Sequence, residues 1–367
     1  MASTNMKSLT LIITATLLLA GFTQAEAQLK YNLKKPEPLL QAPDTVSMVF
    51  IGDVMMHKRQ LEYDFTAFLA PLKSRLSGAD AAVANMEFTM AGAPYTGYPA
   101  FSAPDGYAEY VADCGVDVFL LANNHILDKG RGGALRTLDV YDRICSQRGT
   151  LYTGMARDNE TLGKTTPLLI NLKGVKIALV NFTYGTNLGS STEWPKVNRI
   201  NRSEMTAAIK EARQNGAEFV IVLPHWGTEY TLRHSAAQEE TAKYCVEAGA
   251  DAIIGAHPHV VQDTTHISGV PVIYSMGNAV SNMSARNTRI ELMVKLTFAV
   301  DRNGERKMLE PQLEFLWCTL PGTLTDNYST IPLKEYLGKR NLWKAGYDYD
   351  NMVSSWKTVK AGTGIKD

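Results

Sequence analysis

The chain has 367 residues, of which 45% are hydrophobic and 20% charged, and its 37 basic residues balance 37 acidic ones. These fractions are those of an ordinary folded globular protein and exclude a disordered chain. No run of Lys or Arg interrupts the balance, so neither nucleic acid nor an anionic membrane surface is an expected partner, and a nucleic-acid hydrolase is disfavoured because it needs basic patches.

At the start, Lys7 precedes a single apolar stretch, Leu9–Phe22, followed by the small-residue site Ala25-Glu26-Ala27. That stretch is too short to span a bilayer comfortably, and the pattern predicts a secretory signal peptide over residues 1–27 with no transmembrane anchor after cleavage. The mature protein is therefore expected in a periplasm or associated with the cell envelope. Residues 28–45 contain Pro36, Pro38 and Pro43 and read as an extended leader. An oxidising compartment permits disulfides among Cys114, Cys145, Cys245 and Cys318, although a chain of this size does not need them. No C-x-x-C spacing occurs, which argues against thiolate metal ligands.

The folded unit is expected over residues 46–320. An apolar strand ending at Gly52 is followed by a helical segment over Thr66–Leu76, and a strand ending at Ala122 by a helix near Gly133–Gln147 that carries Leu135, Leu138, Tyr141 and Cys145 on one face. Two more helices are expected near Ser203–Gln214 and Ser235–Ala248. Ser235 and Gln238 form a capping box for the second, and Gly249 supplies its stop. Strand and helix alternate, which predicts an α/β architecture with helices on sheet faces. Beyond Ile290 strands follow one another through the turn Asp301-Arg302-Asn303-Gly304 to Leu320, as the closing edge of the sheet system. Residues 321–367 are too irregular to assign.

Seven apolar runs of strand character stop at a polar residue: at Asp53, at Asn85 and Glu87, at Asn123-Asn124-His125, at Asn181, at His225, at His257 and His259, and at Asn278. In α/β proteins ligands bind outside the carboxyl ends of strands, so these residues describe one site. Imidazole, carboxylate and amide oxygen are ligands for hard-to-borderline divalent metals. His257 and His259, one residue apart on an extended loop, can clamp one metal or point to two. Asp53 with His57 fits a first metal position, and His57 has an alternative as a surface residue if Met55–Gln60 turns helical. Two adjacent divalent ions need a bridging carboxylate, a role assigned to Glu87. Asn124 offers an amide oxygen to a metal. His125 is placed as a proton donor or charge stabiliser, with Asp128 to orient it. His225 supplies the remaining imidazole and Glu229 a hydrogen bond from the rim. Asn85, Asn123 and Asn278 complete the surroundings, Trp226 is expected to pack, and His234 and His266 are expected to be non-ligands. Tyr95, Tyr98 and Phe101, in the loop Ala93–Ser102, form either a platform for a polymer or sugar or a packed lid.

The series G-D-V-M-M-H at Gly52–His57, A-N-M-E at Ala84–Glu87, Y-T-G-Y-P-A-F-S at Tyr95–Ser102, A-N-N-H-I-L-D-K-G at Ala122–Gly130, T-Y-G-T-N at Thr183–Asn187, H-W-G-T-E-Y at His225–Tyr230, G-A-H-P-H-V-V-Q at Gly255–Gln262 and Y-S-M-G-N at Tyr274–Asn278 resembles the CapA family of capsule and poly-γ-glutamate proteins. That family looks like a branch of the calcineurin-like metallophosphoesterases, and the likeness runs from about Val46 to Leu320. The resemblance implies a four-layer αββα sandwich with two divalent ions (manganese, iron or zinc) at the strand ends. By the same resemblance Asp53, His57, Glu87 and His259 would hold one ion, and Glu87, Asn124, His225 and His257 the other, with His125 over the substrate. Against the general phosphoesterase pattern, the first-motif His is displaced to His57, Glu87 replaces an Asp and Ile126 follows His125. Two readings stay open: a metal-dependent hydrolase of a phosphoester or of a related bond in an anionic polymer, and a non-catalytic envelope protein that binds or helps export capsule polymer, with other capsule or envelope proteins as candidate partners.

Overall fold

In a computed structural model of the protein, residues 45–188, 193–300 and 305–366 are described. The signal peptide expected over residues 1–27, the expected leader up to residue 44 and the turn expected at Asp301–Gly304 lie outside them.

Four strands begin the first sheet as parallel neighbours in chain order: β1 (Thr45–Val54), β2 (Ala81–Met86), β3 (Val118–Leu120) and β4 (Leu151–Thr153). The chain then builds a second sheet from β5 (Leu168–Leu172), β6 (Val175–Thr183), β7 (Phe219–His225), β8 (Ala252–Ile254), β9 (Thr264–Ile267) and β10 (Val270–Ile273). Here β6, β7, β8 and β10 run parallel, with β5 and β9 antiparallel at the two edges. Finally β11 (Ile290–Val300), β12 (Arg306–Met308), β13 (Gln312–Thr319) and β14 (Ser329–Pro332) return to the first sheet as antiparallel additions beside β1.

The alternation of side chains along each strand sorts the core into three slabs. On β1, Val46, Met48 and Phe50 face the second sheet, while Val49 and Ile51 face the helices on the other side. On β6, Val175, Ile177 and Leu179 point into the inter-sheet core, and Ala178, Val180 and Phe182 into the opposite layer. This two-residue period is the geometry of a pleated strand buried on both faces. The outer layer on the first sheet comprises α1 (Lys73–Gly78), α2 (Asp105–Asp113) and α3 (Gly130–Arg148), with α4 (Asn159–Thr165) between the sheets' crossover strands. The outer layer on the second comprises α5 (Arg202–Gln214) and α6 (Ala236–Ala248). The expected αββα sandwich is what the three slabs define.

Local chemistry explains where the elements begin and end. The Ser235 hydroxyl accepts from the Gln238 amide at 3.3 Å, the Gln238 side chain accepts from the Ser235 amide at 2.9 Å, and Gly249 ends α6 with φ +112°. The single helix expected over Thr66–Leu76 is instead two short 3₁₀ turns, Phe65–Ala67 and Ala70–Leu72, ahead of α1. Pro71 has no amide hydrogen to donate and its ring obstructs the preceding turn, which divides the segment. The buried face of α3 centres on Ala134, Thr137, Leu138, Tyr141 and Ile144, so Leu135 and Cys145 are only half-buried at its margin. All four cysteines are free.

Residues beyond Gly322 are ordered. They form β14, the one-turn α7 (Leu333–Tyr336) and α8 (Gly346–Thr363), whose Met352 and Val359 close the inter-sheet core together with Ile365. The core face of α8 carries Tyr349, Met352, Val353, Trp356 and Val359 at helical spacing, and its anchor, Asp348, is a charged residue buried by a partner 59 positions away. Among the described residues no helix is long and apolar enough to cross a membrane.

Truncation of Ile177 to Ala, in the inter-sheet slab, is expected to lower stability by about 2–5 kcal/mol. The same change at its exposed neighbour Lys176 is expected to stay within about 0.5 kcal/mol. Denaturant unfolding followed by circular dichroism reads both.

Candidate metal centre

The two sheets meet along a seam at the carboxyl ends of their parallel strands. Asp53 donates its amide to the Gly277 carbonyl at 3.0 Å, Val280 donates to the Asp53 carbonyl at 3.3 Å, and Met55 to the Val280 carbonyl at 2.9 Å. So close an approach needs glycine: a Cβ on Gly52 would lie 1.9 Å from the Gly277 carbonyl oxygen. The β1–β2 register shifts between Ile51 and Asp53, a bulge that re-aims the Asp53 carboxylate. Beneath the bulge, buried Glu291 accepts the Gly52 amide at 2.6 Å, and burial lifts its carboxyl to about 8.

Asp53, Asn85, Glu87, Asn124, His225, His257 and His259 are all buried at this seam. Asn85 Nδ2 donates to Asp53 at 2.6 Å and lies 3.2 Å from His225 Nδ1, while His225 Nε2 lies 2.7 Å from Asn124 Oδ1. Burial pushes the Asp53 carboxyl up, but hydrogen bonding from His259, the imidazoles of His225 and His259 and the Asn85 amide outweigh it and hold the group at about 2. For Glu87, burial and the neighbouring Asp53 charge act together and hold its carboxyl well above the usual carboxylate range. Burial and the neighbouring His257 keep His225 well below the usual imidazole range, and burial with His259 brings His257 to about 3. Two adjacent carboxyl groups therefore share one negative charge among mostly neutral imidazoles.

His257 and His259 both take left-handed backbone, φ +98° and +57°, on either side of Pro258. Such conformations cost about 1–3 kcal/mol each for a non-glycine residue and persist where neighbours hold them. The His257 amide donates to Asp53 Oδ2 at 3.2 Å, and the Tyr230 amide to the Pro258 carbonyl at 2.8 Å. Asn278 Oδ1 lies 2.9 Å from His259 Nδ1. His57 faces inward, 5.3 Å from the Phe101 ring, with Nε2 buried and unpaired; burial, His259 and His125 lower it to about 4.

Around this centre lies a second group. His125 Nδ1 is 2.7 Å from Asp128 Oδ2, which also accepts the Phe101 amide at 2.8 Å. Asn123 is structural: its side chain donates to the Met86 carbonyl at 2.8 Å and accepts the His125 amide at 3.1 Å. Phe101 is a buried wall against His125, whereas Tyr98 is 72% exposed with its ring 6.4 Å from the same imidazole. Glu229 is exposed at the rim, where its charge bears on Glu87 and His259. Trp226 packs, donating to the Tyr274 carbonyl at 2.9 Å, and His234, stacked on Tyr274, and His266 stand apart from the centre.

Two site residues were not singled out from the sequence. Tyr184 tilts over His257 with ring centroids 4.5 Å apart, and Asn187 Nδ2 is 3.4 Å from His125 Nε2. Their signal was present: the run T-Y-G-T-N begins two residues after Asn181, at the end of β6.

The donor set fits divalent ions. Glu87, His257 and His259 offer ligand atoms all within 4.8 Å of one another, and so do Asp53, Glu87 and His225. Glu87 belongs to both groups, and both of its carboxylate oxygens are buried without a hydrogen-bond partner, as is His257 Nδ1. A buried polar atom left unpaired is costly, and a bound cation removes that cost. The groups pair His257 with His259 and Asp53 with His225, a different division from the one the resemblance implies.

The family model described as bacterial capsule synthesis protein PGA_cap matches residues 47–283. The chain belongs to this family. Among curated relatives, a capsule biosynthesis protein CapA of Bacillus anthracis is 27% identical over 267 residues, which cover 69% of this chain and 64% of the relative. A PGA biosynthesis protein CapA of Bacillus subtilis (strain 168) is 29% identical over 194 residues, 52% of this chain and 49% of the relative. The matched region thus spans less than two thirds of either relative. Similar solved structures include a putative 5′-nucleotidase from Staphylococcus aureus (TM-score 0.47, 12% identity, 73% of this chain and 54% of that one). A 5′-nucleotidase from Candida albicans is similar at TM-score 0.45 and 11% identity, over 77% of this chain and 54% of that one. These likenesses are partial, and the layered architecture of this PGA_cap protein rests on its own sheets and cores.

Because burial and Asp53 hold the Glu87 carboxyl above the usual carboxylate range and a cation favours its ionised form, divalent-ion affinity is expected to rise with pH and binding to release protons. Titration calorimetry with Mn²⁺ in buffers of different ionisation enthalpy measures the release. It should fall by about one proton in Glu87→Gln, which has none to lose there.

Proposed function

We propose that this PGA_cap protein is a secreted, metal-dependent hydrolase of a phosphoester or related bond, acting in capsule or poly-γ-glutamate metabolism with a centre of two divalent ions. The observation that carries the reading is Glu87, shared by two donor groups and with both oxygens buried and unpaired. Asp53, Glu87, His225, His257 and His259 would hold the ions, with Asn124 and His57 beside them. Bound there, divalent ions supply Lewis-acid charge and acidify water for attack on the ester.

The chain's own residues do the rest. Asp128 holds the proton of His125 on Nδ1, so Nε2 faces the side of Asn187, where it can stabilise charge or pass a proton to a leaving group. Asn187 and Tyr184 wall that side, and Phe101 excludes water from the other. The apolar segment before Ala25-Glu26-Ala27 supports secretion, and the capsule-related names of the relatives support an anionic polymer or phosphoester as substrate.

Elemental analysis of the purified protein is expected to find about two ions per chain, falling in His257→Ala. Against a panel of phosphoesters and poly-γ-glutamate, His125→Ala is expected to retain metal yet lose about 10²–10⁴-fold in kcat. A protein that carries no metal overturns the reading; one that carries metal and turns over no substrate favours the polymer-binding alternative.

A further inference from the structure

The family match ends at residue 283, yet the residues after it hold the metal centre from behind. Asn278 reaches His259 with Oδ1, and its Nδ2 donates to the Thr288 carbonyl at 3.0 Å and to Ser281 Oγ at 3.2 Å. Asn278 is therefore only as fixed as the loop that runs from it to Arg289. The C-terminal segment grips that loop at four places. Thr330 donates to the Ala279 carbonyl at 2.6 Å, Tyr328 to Asn282 Oδ1 at 2.6 Å, and Arg286 to Thr358 Oγ1 at 3.2 Å. At the loop's end Arg289 makes a two-pronged ion pair with Asp348 of α8, at 2.6 and 2.7 Å. Arg289 also donates to the Cys318 carbonyl at 2.9 Å and lies 4.3 Å over the Trp317 ring. The Asp348 side chain is fully buried and that of Arg289 is 11% exposed.

We propose that the segment following Leu320 is a positioning element of the metal centre, which clamps the Asn278–Arg289 loop so that Asn278, together with Asp53, fixes the tautomer and ring orientation of His259. With the Nδ1 proton held by Asn278 Oδ1 at 2.9 Å and by Asp53 Oδ2 at 3.4 Å, Nε2 is the nitrogen left to face Glu87, 3.8 Å away. A packing role alone would not require this arrangement: the bidentate Arg289–Asp348 pair fixes direction as well as proximity, at the point where the loop re-enters the sheet.

This inference rests on the metal-binding reading, and the test separates the two. Removing Asp348 alone would strand a buried guanidinium, so the informative variant is Arg289→Met with Asp348→Leu, which keeps volume and leaves no buried charge unpaired. The Mn²⁺ affinity of the parent protein, this double variant and Asn278→Ala is measured by calorimetry at a temperature where circular dichroism shows all three folded. Selective ¹⁵N-histidine NMR of the metal-free proteins reports the His259 tautomer. Both variants are expected to lose about 10–100-fold in affinity and to lose the single Nδ1–H tautomer, and their effects combined are expected to be less than additive. A parent that binds no Mn²⁺ overturns the metal-binding reading. A parent that binds, with a double variant of unchanged affinity and unchanged His259 tautomer, overturns the positioning role whatever the change in melting temperature.

Discussion

The backbone seam between Asp53, Gly277 and Val280 is the constraint from which the rest follows. Two sheets packed face to face are ordinarily held only by their side chains, which leaves their ends free to splay. Here β1 is hydrogen-bonded to the loop that follows β10 of the other sheet, so the carboxyl ends of both sets of parallel strands are pinned together. Gly52 and Gly277 permit the approach, and the bulge beside them turns Asp53 inward. Without the seam the side chains at the ends of β1, β2, β7 and β8 would be scattered over two edges rather than gathered in one buried group.

Gathering them has an electrostatic consequence. A carboxylate pair and four imidazoles removed from water cannot all carry charge, and the site responds by holding the Asp53 carboxyl low, the Glu87 carboxyl high and the His225, His257 and His57 imidazoles low. The buried oxygens of Glu87 and the left-handed backbone at His257 and His259 are tolerated because the surrounding packing over-determines them. Unpaired buried atoms of His57, Asn85, Glu87, Asn124 and His257 cluster at this one seam with the left-handed backbone of His257 and His259. The proposed cation chemistry and the proposed C-terminal clamp are both responses to that same concentration.

Much of this was legible in order along the chain. The strand-end positions of Asp53, Glu87, His225 and His257 could be read because an apolar run of five to seven residues has no helical period to hide its end. The capping box at Ser235 and Gln238 was equally plain, since both partners lie within one turn. The segment Thr66–Leu76 is not one helix because Pro71 divides it, a local feature that its apolar residues do not override. Tyr184 and Asn187 lie in the run T-Y-G-T-N of the family series, but which imidazoles they meet is set by contacts between segments far apart in the chain.

The amino-acid sequence by itself determined the strand and helix alternation, the family and the roster of polar strand ends, because each depends on residues close together in the chain. Tertiary structure alone decided which of those ends meet, that Glu87 belongs to two donor groups at once, and that Asp348 in an irregular-looking tail supports His259 through Arg289 and Asn278. Contacts of that kind join positions tens to hundreds of residues apart, and their energy comes from burial and from charges brought together only when the sheets close.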